Sequence, residues 1–188
     1  MTDSFLYTTP LDPVARPLIE QLTLEYDRRY GDFFGEPADK EMNRYPPELF
    51  APPDGSFLLL LRDGVAIAGG AFKRYDDTTA EVKRVWTDAG HRRQGLARIV
   101  LVELEAQARR QGYRRFYLTT GFRQPEAAAL YLASGYAPLY DQSLDPELYG
   151  ALAFEKFLFG PPPGYVPLVQ PPPEGGWRAV IAARQKHS

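Results

Sequence analysis

Apolar residues recur at helical spacing in the first part of the chain. From Val14 to Tyr26 an apolar side chain occurs at every fourth position, which places one apolar stripe along a helix. Asp12-Pro13 provides an N-cap followed by a first-turn proline, and Gly31 provides a stop. The pattern predicts a helix that begins at this N-cap and ends near Arg29.

Shorter apolar runs between turn residues predict strands. A first short strand is predicted over residues 5–9. Farther along, Phe57–Leu61 and Val65–Arg74 flank Asp63-Gly64, a dipeptide typical of tight hairpin turns. Thr79–Thr87 follows as a third strand, so this part of the chain is predicted to form an antiparallel meander.

Helices and strands alternate in the second half of the chain. The predicted elements are a helix from Gly95 to Gln111, a strand over 115–119, a helix from Pro125 to about Ser134, and strands over 136–141 and 152–159. The complete order, β-α-βββ-α-β-α-ββ, predicts an α/β layer fold with a mixed sheet. The first of these helices is predicted to be well buried, because apolar residues surround most of it: Leu96, Ile99, Val100, Leu101, Val102 and Leu104.

Two segments are rich in proline. Residues 31–56 hold five prolines in a long irregular stretch, a kind of loop that is usually functional. Seven of the 18 prolines fall between Pro161 and Pro173, so we divide the chain into a domain over 1–159 and a tail over 160–188. The tail is either a recognition peptide for proline-binding modules or an arm that packs on its own domain or a second copy, with Trp177 as anchor. We favour the arm.

Composition excludes several classes of site. The 188-residue chain has no cysteine, which excludes disulfides, thiolate metal sites and a cysteine nucleophile. Its two histidines, His91 and His187, are too few for a histidine metal site, so no metal is expected. A net charge of -2 argues against nucleic acid and anionic membrane as partners. No signal peptide or membrane-spanning run is visible, and we expect a cytoplasmic location.

The most informative segment is a basic turn before the long helix. His91, Arg92 and Arg93 stand where a helix N-terminus normally attracts acids, and no acid follows until Glu103. This arrangement predicts an anion among them, with Gly95 letting the backbone approach a phosphate. Neither a Walker loop nor a Gly-x-Gly-x-x-Gly fingerprint is present. The alternative is a solvated basic turn.

Two regions of the sequence resemble the GNAT acetyltransferases. The runs AEVKRVWT at residues 80–87 and HRRQGLA at residues 91–97 resemble that family's acyl-CoA motif, Arg/Gln-x-x-Gly-x-Gly/Ala, matched at positions 92, 95 and 97. The run QPEAAALY at residues 124–131, followed by Gly135-Tyr136, resembles the family's second region. The resemblance implies a GNAT-like mixed, mostly antiparallel central sheet flanked by helices.

The resemblance also implies acetyl-CoA as cosubstrate and a set of residues that bind it. The strand over 81–87 would splay from the strand over 115–119, so that Val85 and Thr87 pair with the pantetheine arm. Gln124 stands where the family more often has Asn. Core or edge packing is the alternative for Val85 and Trp86. The implied binding residues are Val85, Trp86, Thr87, Arg92, Arg93, Gln94, Gly95, Leu96, Ala97 and Gln124.

Two residues are candidates for the chemistry. The resemblance places Tyr131 near the thioester sulfur as the acid that protonates the leaving thiolate, and a phenol with a pKa of about 10 is protonated at neutral pH. Its alternative is packing beside Tyr136. The resemblance makes Glu81 the candidate base, although a carboxylate would abstract an ammonium proton uphill by about 8 kcal/mol. A water held by Glu81 avoids that barrier; pairing with Lys83 or Arg84 is the structural alternative.

The resemblance, taken with these residues, predicts an N-acyltransferase that moves an acetyl group from acetyl-CoA to a primary amine by direct attack, with a backbone N–H of residues 85–87 polarising the carbonyl. It also implies that the acceptor, a small molecule or a protein amine, is shaped by Tyr26, Arg29, Tyr30 and residues 31–56. A homodimer is compatible with the family. Two alternatives are an inactive acyl-CoA-binding or regulatory protein and an interaction module using the proline-rich tail.

Overall fold

Seven strands form one sheet in the computed structural model, which describes residues 2–35 and 37–186. The strands are β1 (Asp3–Tyr7), β2 (Ser56–Arg62), β3 (Val65–Arg74), β4 (Thr79–Thr87), β5 (Arg115–Gly121), β6 (Ala137–Pro138) and β7 (Ala151–Phe157). Their order in space is β1-β2-β3-β4-β5-β7-β6. All neighbouring strands are antiparallel except β4 and β5, which are parallel. The predicted mixed, mostly antiparallel sheet is confirmed.

Five α-helices accompany the sheet in the described part of the chain. They are α1 (Arg16–Tyr30), α2 (Ala38–Met42), α3 (Leu96–Arg110), α4 (Pro125–Ala133) and α5 (Gly176–Gln185). Asp12 caps as predicted, with Oδ1 accepting from the Val14 amide at 2.9 Å, but the turn that it caps is a 3-10 turn over Pro13–Ala15 that leads into α1. The loop predicted over 31–56 contains α2 and a 3-10 turn over Pro47–Phe50.

The hairpin between β2 and β3 follows the sequence closely. Asp63 and Gly64 have φ of 50° and 84°, the positive pair that a primed two-residue turn requires. Ser56 faces Phe72 at the far end of the ladder. The ladder carries alternating side chains of β2 to opposite faces of the sheet, where Leu58 joins the buried cluster around α3 and Leu59 joins the cluster around α1.

Two adjacent glycines let helices approach both faces of β3. A Cβ at Gly69 would lie 2.8 Å from Leu18 Cδ1 of α1, and a Cβ at Gly70 would lie 2.9 Å from Leu104 Cδ1 of α3. Because successive residues of a strand point to opposite faces, the pair accommodates one helix on each side. The sheet is therefore the middle layer between α1 and α3.

A smaller part of the surface of α3 is buried than the sequence predicts. Leu101 and Leu104 are fully buried against the sheet, but Ile99 is 45% exposed and Val102 is 58% exposed. The prediction of a helix buried around most of its circumference is wrong, because the sheet covers one face of α3 and leaves Ile99 and Val102 on the other.

The two parallel strands stay paired for only three residues. Thr79, Ala80 and Glu81 face Arg115, Phe116 and Tyr117 in register, and beyond this point β4 and β5 do not pair within the described part of the chain. The register of β3 with β4 shifts between Gly69 and Ala71, and Arg84 has a left-handed φ of 58° opposite that shift. A bulge thus bends β4 where it leaves β5.

The segment after β7 lies along the domain and then forms α5. The Tyr165 hydroxyl donates to the Glu155 carboxylate, and the Gln170 amide donates to the Leu139 carbonyl at 2.9 Å. The sequence predicted extended, weakly structured chain here and missed the helix at its end. The strand predicted over 136–141 is confined to Ala137–Pro138, because that is the part that pairs with β7.

Candidate functional site

A cavity of about 490 Å³ opens where β4 and β5 diverge. Four predicted site residues line it: Glu81, Val85, Gln124 and Tyr131. The wall also contains residues of α1, of α2 and the chain just after it, of the start of β7, and of α5. These residues are Glu25, Tyr26, Met42, Tyr45, Ala151, Trp177 and Arg184. Elements from both halves of the chain therefore meet at this one cavity.

Tyr131 lies on α4 with its ring packed in the core and one edge at the cavity. Its ring centroid is 5.6 Å from Tyr136 and 5.6 Å from Phe154, and the side chain is 7% exposed. Its hydroxyl makes no hydrogen bond to a described residue. Burial raises the pKa of Tyr131 well above its ordinary value, so the phenol stays protonated through neutral pH and can donate.

Glu81 lies between two lysines. Its carboxylate oxygens accept from Lys73 Nζ and Lys83 Nζ, each at 2.9 Å, and both ammonium groups lie about 5 Å from the Tyr45 ring centroid, at 4.9 and 5.0 Å. Burial alone would raise the pKa of Glu81, but the charge of Lys83 and hydrogen bonds from both lysines lower it below 4.5. Glu81 therefore pairs with Lys83, which was one of the two structural alternatives to a role as base. Because its pKa is lowered, the Glu81 carboxylate is a weaker base than a free carboxylate.

Gln124 precedes α4 and is held by the end of β5. Its Oε1 accepts from the Gly121 amide at 3.1 Å and from the Thr120 hydroxyl at 3.2 Å. The carbonyl end of the side chain is therefore occupied within the protein. The amide NH₂ is the donor that Gln124 can offer to a carbonyl in the cavity.

The basic turn presents a row of backbone donors. Arg93 has φ of 61° and Gly95 has φ of 74°, and α3 begins immediately after Gly95 with no acid in its first turn. No residue in the described ranges accepts from the backbone amides of residues 92–98. Such consecutive amides at the positive end of a helix form a site suited to phosphate oxygens.

Side chains of the turn extend outside the cavity. Arg92 Nη2 lies 3.4 Å from an oxygen of Glu25, which lines the cavity, so the turn and the cavity are neighbours. Gln94 Oε1 accepts from Arg62 Nη1 at 3.2 Å. Arg92, Arg93 and Gln94 are exposed to solvent.

Two of the predicted binding residues bury their side chains in the core. Trp86 is 3% exposed, and its Nε1 donates to Gln21 Oε1 at 3.1 Å; Leu96 is also 3% exposed. For both residues only the backbone is available to a cosubstrate. Thr87 pairs with Ala68 of β3, and Ala97 is half-buried in the first turn of α3.

Sequence reasoning missed the contribution of the C-terminal segment. Trp177 was identified as an anchor, but the helix that carries it, and the position of Trp177 and Arg184 in the cavity wall, were not predicted. The available signal was Gly175-Gly176 followed by apolar residues at helical spacing in Trp177, Val180 and Ile181.

Among the side chains that the structure describes, no three His, Asp or Glu come together as a metal site would require. His187 lies outside the described residues. No helix in the described part of the chain is both long and apolar enough to cross a membrane.

Comparison with known proteins identifies relatives of this arrangement. The model of the Acetyltransferase (GNAT) family matches residues 19–136. The IAA acetyltransferase of Azospirillum brasilense is 32% identical over 130 residues, which cover 69% of this chain and 80% of the relative.

Solved structures share the fold. A Klebsiella pneumoniae protein proposed to be an acyl-CoA N-acyltransferase is 27% identical, with a TM-score of 0.63, over 84% of this chain and 99% of that one. The PaiA N-acetyltransferase of Thermoplasma acidophilum, solved in complex with coenzyme A, is 16% identical, with a TM-score of 0.62, over 84% and 99% of the two chains. The second likeness concerns the fold alone.

Proposed function

Since the chain belongs to the acetyltransferase (GNAT) family, we propose that it is an N-acetyltransferase that moves an acetyl group from acetyl-CoA to a primary amine. Acyl transfer is the activity of this family, and acetyl-CoA is its cosubstrate. The observation that carries the proposal is the divergence of β4 from β5, which opens a cavity containing Tyr131. The turn whose amides at residues 92–98 have no acceptor in the described residues lies beside that cavity, through the contact of Arg92 with Glu25.

The pyrophosphate of coenzyme A is assigned to the turn before α3. Its oxygens would accept from the amides of residues 92–98, with Arg92 and Arg93 adding positive charge and Gly95 allowing close approach. A ligand with several acceptor oxygens explains these unpaired donors better than a surface turn that contacts only solvent does. Binding through backbone amides also explains why the side chain of Leu96 can remain in the core.

The pantetheine arm is assigned to the open edge of β4. The Asp88 amide donates to Ile67 of β3 at 2.9 Å, and amides alternate in direction along a strand, so those of Val85 and Thr87 point away from β3. That is the side from which β5 has diverged. The arm would pair there as an added strand, with the Gln124 amide group as a further donor.

Transfer then proceeds by direct attack. The amine nitrogen forms a bond to the thioester carbonyl carbon, a backbone N–H of residues 85–87 stabilises the oxyanion, and the carbon–sulfur bond breaks. Tyr131 gives its proton to the departing thiolate, the nitrogen loses one proton to water, and water returns a proton to Tyr131 to complete the cycle. The free, protonated hydroxyl of Tyr131 at the cavity supports this role.

The acceptor amine must lose a proton before attack, and the cluster around Glu81 supports that step indirectly. Glu81 with Lys73 and Lys83 carries one net positive charge at the cavity, which disfavours a further ammonium ion and lowers the pKa of a bound amine. We assign Glu81 to holding these two lysines and a water that accepts the proton. Direct abstraction is disfavoured because the pKa of Glu81 is lowered by its partners.

Calorimetric titration with acetyl-CoA tests the cosubstrate site. We expect micromolar binding by the wild type and at least a tenfold loss in the Arg92→Glu/Arg93→Glu double variant, equivalent to about 1.4 kcal/mol. Arg16→Glu/Arg28→Glu is the matched control, because it changes the net charge equally at two exposed positions on α1.

Equal weakening by both double variants would mean that overall charge, not the turn, governs binding. No binding by the wild type would remove the cosubstrate assignment. Thiol release with a panel of amines then measures transfer itself, and the assay has no protein background because the chain has no cysteine.

A further inference from the structure

The C-terminal helix forms one wall of the cavity in which transfer is proposed. Trp177 and Arg184 of α5 line the same cavity as Tyr131 and Glu81. The Arg184 guanidinium lies 5.3 Å from the centre of the Trp177 ring. This wall of the cavity is therefore built partly from a segment that follows the last strand of the sheet.

The Trp177 ring depends on a glycine for its position. A Cβ at Gly150 would lie 2.5 Å from Trp177 Cγ, and Gly150 has φ of 70°, so the ring lies directly on bare backbone. Trp177 Nε1 is buried and donates to no residue in the described ranges. Because a buried donor without a partner destabilises the fold, hydrogen bonding does not explain a tryptophan here; its ring surface does.

Other aromatic rings extend this surface. The Phe34 ring centroid is 6.2 Å from that of Trp177 and 6.0 Å from that of Tyr26, with the Tyr26 and Phe34 planes within 25° of each other. Tyr26, Phe34 and Trp177 all line the cavity. Three rings from α1, the following loop and α5 thus give the cavity an aromatic end, which we call the aromatic wall.

The aromatic wall is held to the domain by contacts near the start of α5. Arg178 Nε donates to Glu147 at 2.5 Å, and Gly176 is buried against Leu148, whose Cδ2 lies 3.1 Å from the position of a Cβ there. With α5 in place, the cavity of about 490 Å³ is in the range of small-molecule sites, about 300–1,000 Å³. This favours a small acceptor over the lysine of a folded protein.

We propose that α5 forms the far wall of the acceptor site and that Tyr26, Phe34 and Trp177 select a small primary amine carrying an aromatic ring. The inference rests on the proposed acetyl transfer, since it names the acceptor class for that reaction. An aromatic ring is stabilised by such stacked or edge-on contacts beyond the effect of its buried area, and an aliphatic chain of similar length is not.

Binding and transfer are measured with two primary amines: phenethylamine, which carries an aromatic ring, and butylamine, which does not. We expect the wild type to have a KM for phenethylamine about three- to tenfold below that for butylamine. In Trp177→Ala the advantage should fall to within twofold while the Kd for acetyl-CoA is unchanged. Leu168→Ala, a 73% exposed position on the same tail, is the matched control and should keep the advantage.

Fluorescence separates this inference from the proposed activity, because it needs no transfer. The chain has two tryptophans, and Trp86 lies in the core away from the cavity. Phenethylamine should change the emission of the wild type and not that of Trp177→Phe, in which Trp86 remains as the reporter. Circular dichroism checks that the variants fold, and Gly150→Ala, which displaces the ring while keeping it in the sequence, should also lose the advantage.

Equal KM values for the two amines in the wild type would overturn the proposal. So would an unchanged advantage in folded Trp177→Ala, or a lysine-containing peptide that is acetylated at lower KM than phenethylamine. Failure of the acetyl-CoA titration alone would instead reject the proposed function, and the fluorescence response to phenethylamine would still decide whether the aromatic wall binds a ring.

Discussion

The hydroxyl of Tyr30 occupies the space that a side chain at Gly121 would need, since a Cβ added at Gly121 would overlap it. The same hydroxyl accepts from the Arg123 amide at 3.2 Å, and the Gly121 amide donates to Gln124 Oε1 at 3.1 Å. The end of β5 is thus shaped by a tyrosine from α1. Through Gly121, that contact positions Gln124 at the cavity.

Gly121→Ala should therefore disturb both stability and the cosubstrate site. We expect the free energy of unfolding in urea to fall by about 1–3 kcal/mol, because the added methyl forces Tyr30 away. The affinity for acetyl-CoA should fall with it, as Gln124 loses its support. In the Gly121→Ala/Tyr30→Leu double variant the loss of stability should be smaller than the sum of the single losses. Strict additivity would show that the two residues do not compete for space.

Tyr131→Phe tests the general acid. The variant should lower kcat by about 10²–10⁴-fold while leaving the Kd for acetyl-CoA and the unfolding temperature nearly unchanged, because the ring and its packing remain. Tyr140→Phe is the matched control, since Tyr140 is equally buried at 7% exposed but does not line the cavity. Full activity in Tyr131→Phe would reject the assignment; acetyl-CoA binding without turnover in the wild type would identify an inactive binding protein.

The pH profile gives a second test of Tyr131. The donor is active when protonated, and burial raises its pKa above the ordinary value of 10. Activity should therefore remain high as the pH rises through 9 and fall only above 10, provided that the acceptor amine stays bound. A fall that begins near pH 8 would point to a different donor.

Glu81→Gln tests the paired carboxylate. In the folded state the pKa of Glu81 is lowered, so its ionisation stabilises the fold at pH above about 4.5 and that contribution is lost as the pH falls below this value. At pH 7 the substitution leaves Lys73 and Lys83 without their carboxylate and should destabilise the protein by about 3 kcal/mol. The difference from the wild type should shrink in acid.

Glu20→Gln is the control for this experiment, because Glu20 is exposed on α1 and should change stability little at any pH. Kinetics separate the two roles of Glu81. A loss of kcat far larger than the loss of stability, with acetyl-CoA binding intact, would make Glu81 the base itself and contradict its assignment to the lysines.

Local chemistry explains which parts of this fold could be predicted from the sequence. The hairpin at Asp63-Gly64 and the stop at Gly31 were predicted because turns and caps depend on adjacent residues. The uneven exposure of α3 could not be predicted, because Ile99 and Leu101 are equally apolar and only the position of the sheet distinguishes them. Helix α5 was missed because proline-rich chain precedes it.

The candidate site likewise contains some residues that the sequence predicts and others that it does not. A family pattern located Tyr131 and Gln124, which the fold brings to one cavity, and that pattern is readable in a single sequence. The pairing of Glu81 with Lys73 was not predicted, because it joins two strands whose register at this end is set by the turn between them. Trp177 reaches the cavity through contacts made after the whole sheet has formed, and no local pattern encodes that.

The glycine pair of β3 supports a last prediction, about how closely the layers pack. A Cβ at Gly70 would meet a flexible atom, Leu104 Cδ1 at 2.9 Å, whereas a Cβ at Gly69 would meet both Leu18 Cδ1 and the Leu58 carbonyl oxygen at 2.8 Å. Gly69→Ala and Gly70→Ala should each lower the free energy of unfolding by about 1–3 kcal/mol, as overpacking does. The loss should be larger at Gly69, because a backbone oxygen in a ladder cannot move aside.

Removing the opposing leucine side chain distinguishes the two positions. In Gly70→Ala/Leu104→Ala the added methyl occupies part of the space that Leu104 vacates, so the double variant should be more stable than the sum of the single effects predicts. In Gly69→Ala/Leu18→Ala no such recovery is expected, because the clash with the Leu58 carbonyl remains. Urea unfolding of the four single variants and the two double variants measures both coupling energies. Equal recovery at the two positions would mean that the helices, and not the strand backbone, limit how closely α1 approaches the sheet.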